Sequence, residues 1–245
     1  MDIIKAPTKI EHSIYRAEFK YTPTPRVKGI KGFEDAEIEK RLTGNIMEVG
    51  EPERWNIKEL CNRKGIKLPV EIEMILDEFD FWLIQTAFAF MPAHDNQFDW
   101  ARIVAKMEPL SESMKNPIAY DAYPKGVYEE KKEKRRISIG LSLKFAEIIE
   151  PKAEYVREIE FTRLEPVITT AGIGRSEPTW DFSDRAAFNL KDVNALYIIA
   201  KTPIKSEGIK INYFSYAQIR NKLLGIIPTT AKPLKGEEET YEIRF

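Results

Sequence analysis

Two histidines and one cysteine are the whole supply of imidazole and thiol in this chain. His12 and His94 stand far apart, and Cys61 lies between them with no second cysteine to complete a Cys-x-x-Cys pair. A zinc centre of nitrogen and sulfur ligands needs three or four such groups to converge. Here it would have to recruit both histidines, Cys61 and a carboxylate from distant elements, and no metal site is expected. His94, Asp95, Asn96 and Asp99 offer oxygens and one nitrogen, but not the spacing of an EF-hand loop. A tight turn favours Asp and Asn for backbone reasons alone, which is the simpler reading of that stretch. There is no Gly-x-Ser-x-Gly elbow. Cys61 falls on the apolar side of a candidate helix, where a thiol behaves as a small hydrophobe. A Cys61–His94 dyad is therefore set aside, and no catalytic residue and no cofactor is assigned.

The most individual stretch is 171–180, Ala-Gly-Ile-Gly-Arg-Ser-Glu-Pro-Thr-Trp. Gly172 and Gly174 permit positive φ, and Arg175 with Ser176 could meet an anion there. No Lys-Ser or Lys-Thr follows to make a phosphate-binding Walker loop. The third glycine of a dinucleotide fingerprint is also missing. As plain structure it is an inter-strand loop, with Trp180 and Phe182 anchoring the next strand in the core. As a functional element it offers Arg175 and Trp180 as partner- or ligand-binding residues, since those types dominate interface hot spots. Trp82 and Trp100 sit in apolar settings and are expected inside. Tyr213 and Tyr216 stand at the end of a strand candidate, where Phe214 between them spoils a clean alternation.

The elements that must position these residues divide unequally. Residues 1–70 form an N-terminal part: an extended strip with Pro23 and Pro25, one strand at 13–21, and short helices at 34–42 and 53–64. The first helix places Ile38 and Leu42 at i, i+4. The second places Ile57, Leu60 and Cys61 on one face and stops at Gly65. Neither is long enough to stand alone, so both are expected to pack on the main body. Residues 71–245 read as an antiparallel β-sandwich domain, with jelly-roll and barrel-like closure as variants.

Within that domain, 81–91 is apolar on both alternating sets, as in a strand buried on two faces, although a buried helix fits the length. With 98–105 it is read as a hairpin. Strict alternation marks 137–145 and continues at 155–162, a second hairpin. Shorter strands are expected at 167–171, 179–182, 195–202, 209–216 and 240–245. The interval 109–136 reads as polar loop.

Thirty-eight basic residues nearly balance 39 acidic ones, a formal net charge of −1. That balance gives no whole-chain reason to expect nucleic acid. The run 129–136 mixes acids with bases and makes a poor phosphate-tracking surface. The most apolar stretch is too short and too polar for a spanning helix. No secretory signal or prenylation box is read at either end, and the expected location is the cytoplasm. The favoured function is non-enzymatic: a β-sandwich that binds a protein partner or self-assembles. The alternative is a hydrolase using carboxylates or His94 in a cleft between the N-terminal segment and the sheets.

Overall fold

In a computed structural model the described residues are 4, 7–21, 34–124, 126–131, 161–183, 193–234 and 240–245. Among them the chain is mostly antiparallel β, with a nearly closed, barrel-like sheet and a few short helices. The strands are β1 (Ser13–Tyr21), β2 (Asn45–Gly50), β3 (Glu53–Asn56), β4 (Phe79–Met91), β5 (Asn96–Pro109), β6 (Ile118–Tyr123), β7 (Gly126–Lys131), β8 (Phe161–Ala171), β9 (Thr179–Ser183), β10 (Asn194–Pro203), β11 (Gly208–Asn221), β12 (Gly225–Pro233) and β13 (Thr240–Arg244). The helices are α1 (Asp35–Leu42), α2 (Ile57–Lys64) and α3 (Val70–Glu73). The sheet runs β6-β10-β4-β2-β1-β12-β11-β5-β9-β8-β7, with β13 added to β11 and β3 to β4.

β4 explains much of this order. Ile84, Phe88 and Phe90 point into the main core, while Phe81 and Leu83 point into a second cluster on the opposite face. Its two alternating sets are both mainly apolar because both faces are covered. β1 has the ordinary one-sided pattern, with Tyr15, Ala17 and Phe19 buried and Lys20 exposed. The second cluster is roofed by α2, whose Ile57, Leu60 and Cys61 are all buried, and by Ile72 of α3. Asn56 caps the start of α2 by accepting from the Glu59 N–H, and Gly65 ends it at φ 67°.

Several sequence expectations are corrected. β4 and β5 do not pair as a hairpin. Four strands (β2, β1, β12 and β11) separate them in the sheet, and the turn between them carries the chain across the core. Phe90 meets Phe98 at 4.9 Å and Phe88 meets Phe182 at 5.1 Å across that gap. A hairpin and an interlayer arch share the same short polar turn, so the sequence could not separate them. β1 lies between β2 and β12, inside the one sheet, so the first seventy residues supply strands as well as cover. The interval read as polar loop carries β6 and β7. The alternating stretch 137–145 and most of 155–162 lie outside the described residues, as does the strip 22–33.

The main core is closed at both ends by specific contacts. At one, α1 inserts Ile38 and Leu42, both buried. Asn45 donates to the Leu42 carbonyl and accepts from the Ala93 N–H, while Asn96 donates to the Arg41 carbonyl. Asn221 in turn donates to Asn96 at 2.8 Å and accepts from the N–H groups of Leu223 and Leu224. These buried amides satisfy turn backbone that would otherwise be orphaned. At the other end Trp82 stacks on Phe245 with ring centroids 4.1 Å apart.

Candidate functional site

The two long faces of the sheet differ in what covers them. Around β11 the inward set is Ile211, Tyr213, Ala217 and Ile219 with Ser215, all buried, and the outward set includes Phe214, Tyr216, Gln218 and Arg220, all exposed. Alternation is clean from Ile209 to Asn221, because Tyr213 and Tyr216 belong to opposite faces. Burial pushes the Tyr213 phenol up, and its hydroxyl is bonded to Thr86 Oγ1 of β4 at 2.9 Å. Tyr216 lies on the opposite, outer face and is 46% exposed, and Phe214 is 42% exposed.

The hairpin formed by β11 and β12 adds Leu223 at its tip, 62% exposed, and Ile226, 50% exposed. Among the described residues eight large hydrophobic side chains are exposed, and half of them sit on this one hairpin. Register sets the rows across the face. Phe214 lies opposite Val104, Tyr216 opposite Arg102 and Thr230, Gln218 opposite Trp100 and Pro228, and Arg220 opposite Ile226. A register shift at Gln218/Ile219 lets β5 spend an extra residue there. Such a bulge re-aims side chains, and here Asp99 reaches Arg220.

Four basic side chains on and around this face are already partnered. Arg102 donates from Nε to Asp181 Oδ1 at 2.7 Å and from its terminal nitrogen to Oδ2 at 2.9 Å, the two-pronged arrangement that suits guanidinium and carboxylate. That bond raises the Arg102 pKa further above its already high ordinary value. Its guanidinium also lies 5.3 Å from the Trp100 ring centre. Arg220 pairs with Asp99, Lys106 with Glu108, and Lys222 with Asp95. The result is an aromatic and aliphatic strip with nearly neutral, pre-paired polar edges.

The residues expected from sequence fall elsewhere. Trp180 has no exposed area and belongs to the main core beside Phe182, so it presents nothing to a partner. Arg175 is exposed, in the loop between β8 and β9, whose backbone serves as a seam. The Ala105 and Met107 N–H groups donate to the carbonyls of Pro178 and Ser176 on one side. On the other, Ala119 of β6 donates to the Arg175 carbonyl and accepts from the Gly174 N–H. Ser176 Oγ adds a bond to the Pro117 carbonyl at 2.7 Å. This loop links β5 to the free edge of β6 and nearly closes the sheet. Gly172 is required there: its φ is 79°, and an added Cβ would stand 2.2 Å from the Glu177 carbonyl oxygen.

His94 is exposed in the turn after β4. Cys61 is buried beneath α2 with Phe81 and Leu83 near the start of that strand, and burial pushes its thiol up. About eight residues of β4 separate those places, roughly 25 Å, so the two do not form a dyad. Among the described residues no group of three or more His, Cys, Asp or Glu is placed to hold a metal ion. No helix of the described residues is long and apolar enough to cross a membrane.

The sequence reading missed Phe214, Tyr216 and half-buried Trp100 as one surface. The missing step was to follow the period of two through 211–221 without interruption. The extra residue of β5 that turns Trp100 outward had no sequence signal. Neither a family model nor a curated protein matches the chain.

Proposed function

We propose that this chain is a non-enzymatic binding protein whose contact surface is the outer face of β5, β11 and β12, and that its partner is a protein. The observation that carries the reading is the concentration of Phe214, Tyr216, Leu223 and Ile226 on one hairpin, next to Trp100 and the Arg102–Asp181 pair. Monomeric proteins scatter exposed apolar residues singly, whereas a contiguous patch rimmed by polar groups marks an interaction surface. Its composition, aromatic with pre-oriented arginine, is that of interface hot spots. With the arginines neutralised by aspartates, the face is poorly suited to tracking phosphates.

The test compares two double substitutions in the full chain, purified gently from its native cells. Phe214→Glu with Tyr216→Glu alters the proposed surface. Val70→Glu with Met74→Glu alters the exposed apolar pair beside α3. Both variants should keep the circular dichroism and melting temperature of the parent. Stoichiometric protein association, read by native mass, should be lost at least tenfold in the first and unchanged in the second. Equal association in both would overturn the reading.

A further inference from the structure

Resting on that contact surface, we infer that its occupant is a second copy of this chain, packed face to face about a two-fold axis running along the row Trp100–Gln218–Pro228. An isologous interface requires a patch that complements itself, and the register supplies one. Rotation about that row carries the row of Arg102 and Tyr216 onto the row of Gln97 and Arg220, beside which the bulged Asp99 is held by its bond to Arg220. Arg102 then faces the Asp99 position of the other copy, opposite in charge, and Tyr216 faces the position of Arg220, a cation over an aromatic ring. One row further out, Phe214 comes over the hairpin tip at Leu223, apolar against apolar. Each end of the strip is thus the complement of the other, and Gln218 meets its own counterpart on the axis.

Charge argues for the same occupant. Because Arg102 and Arg220 are paired within the copy to Asp181 and Asp99, the strip has no excess of one sign to attract a strongly charged partner. In the dimer each pair can exchange partners at little cost in solvation. Size sets the strength. Three strands at about 4.8 Å by some nine residues at about 3.4 Å give a face of roughly 14 by 30 Å. That is about half of the ~800 Å² per partner of a standard interface. The dimer is therefore reversible, and its population rises with protein concentration.

The experiment has two arms on the full chain. Light scattering across a hundredfold concentration range should show the mass rising from 28.4 kDa towards twice that value, and Phe214→Glu should hold it at the monomer. In a Cys61→Ala background, Gln218→Cys should give a disulfide-linked dimer under mild oxidation, whereas Lys201→Cys, away from the strip, should not. A mass fixed at 28.4 kDa throughout overturns the second-copy assignment. Dimerisation without the Gln218→Cys cross-link overturns the axis. If the chain stays monomeric while Phe214→Glu with Tyr216→Glu still strips other proteins from it, only this inference falls. If those substitutions strip nothing, the contact surface itself falls.

Discussion

β4 and β11 are strands of similar length in one antiparallel sheet, and they solve the same problem differently. Both present one face to the main core, where Thr86 of β4 bonds Tyr213 of β11. The other face of β4 is apolar apart from buried Gln85, which donates to the Tyr197 hydroxyl, and α2 and α3 cover its Phe81 and Leu83 within the chain. The other face of β11 mixes Phe214 and Tyr216 with Asn212, Gln218 and Arg220, and much of it is open to solvent. A face meant for permanent burial keeps few polar side chains. A face that must be wet at some times and covered at others keeps both kinds, with its charges paired in advance. On this account β4's second face contributes to folding and β11's to association.

The comparison breaks first, and by most, at the covered face. Leu83→Ala empties a fully buried position beneath α2 and should cost about 2–5 kcal/mol in chemical denaturation, without altering association by the folded protein. A cost below about 1 kcal/mol would mean that the helices cover β4 only loosely. Next comes the seam joining β5 to β6. Gly172→Ala meets both a positive φ and the Glu177 carbonyl, and should lose about 1–3 kcal/mol. Gly174→Ala, with a similar φ but open space around it, should lose clearly less.

The inward side of β11 is tested by pH. Burial raises the Tyr213 pKa above its ordinary value of 10.0, so the unfolded chain gives up that proton first. The stability involved is whole below pH 10 and falls as pH rises beyond it. Tyr213→Phe should flatten that alkaline fall while costing about 1 kcal/mol at neutral pH, because Thr86 loses its partner. Tyr241 remains in the variant as a second source of alkaline slope, being pushed up to about 12 by burial and by its bond to Glu51. An unchanged alkaline profile in Tyr213→Phe would show that the phenol is not held away from water. The smallest effect belongs to the outward side. Phe214→Ala should change folding stability by no more than about 0.5 kcal/mol, and a loss above 1.5 kcal/mol would make that face part of the fold.

Much of the fold was legible because it rests on local pattern. Ile38 and Leu42, the Ile57–Leu60–Cys61 face with Gly65 behind it, and the doubly apolar 81–91 all declared their burial in sequence. Long-range partnering did not. The turn at 92–95 fits a hairpin as well as an arch, and nothing in β1 announces that it will lie between β2 and β12. The candidate surface was half legible. Phe214 and Tyr216 follow from the alternation through 211–221 once Tyr213 is placed on the opposite face. Trp100 depends on a bulge that exists only when β5 meets β11. Trp180 drew attention as a contact residue by its type, and the sheet buries it beside Phe182.

Hydroxyl-radical footprinting puts the central claim to its most direct test, since it reads the same side chains in isolation and in the cell. The full chain would be labelled as a dilute pure protein and again in its native cells. Oxidation of Phe214, Tyr216, Leu223 and Ile226 should fall several-fold in the cells, while exposed Met74 and Val70 label equally in both. Equal labelling of the β11–β12 hairpin in both conditions would contradict it.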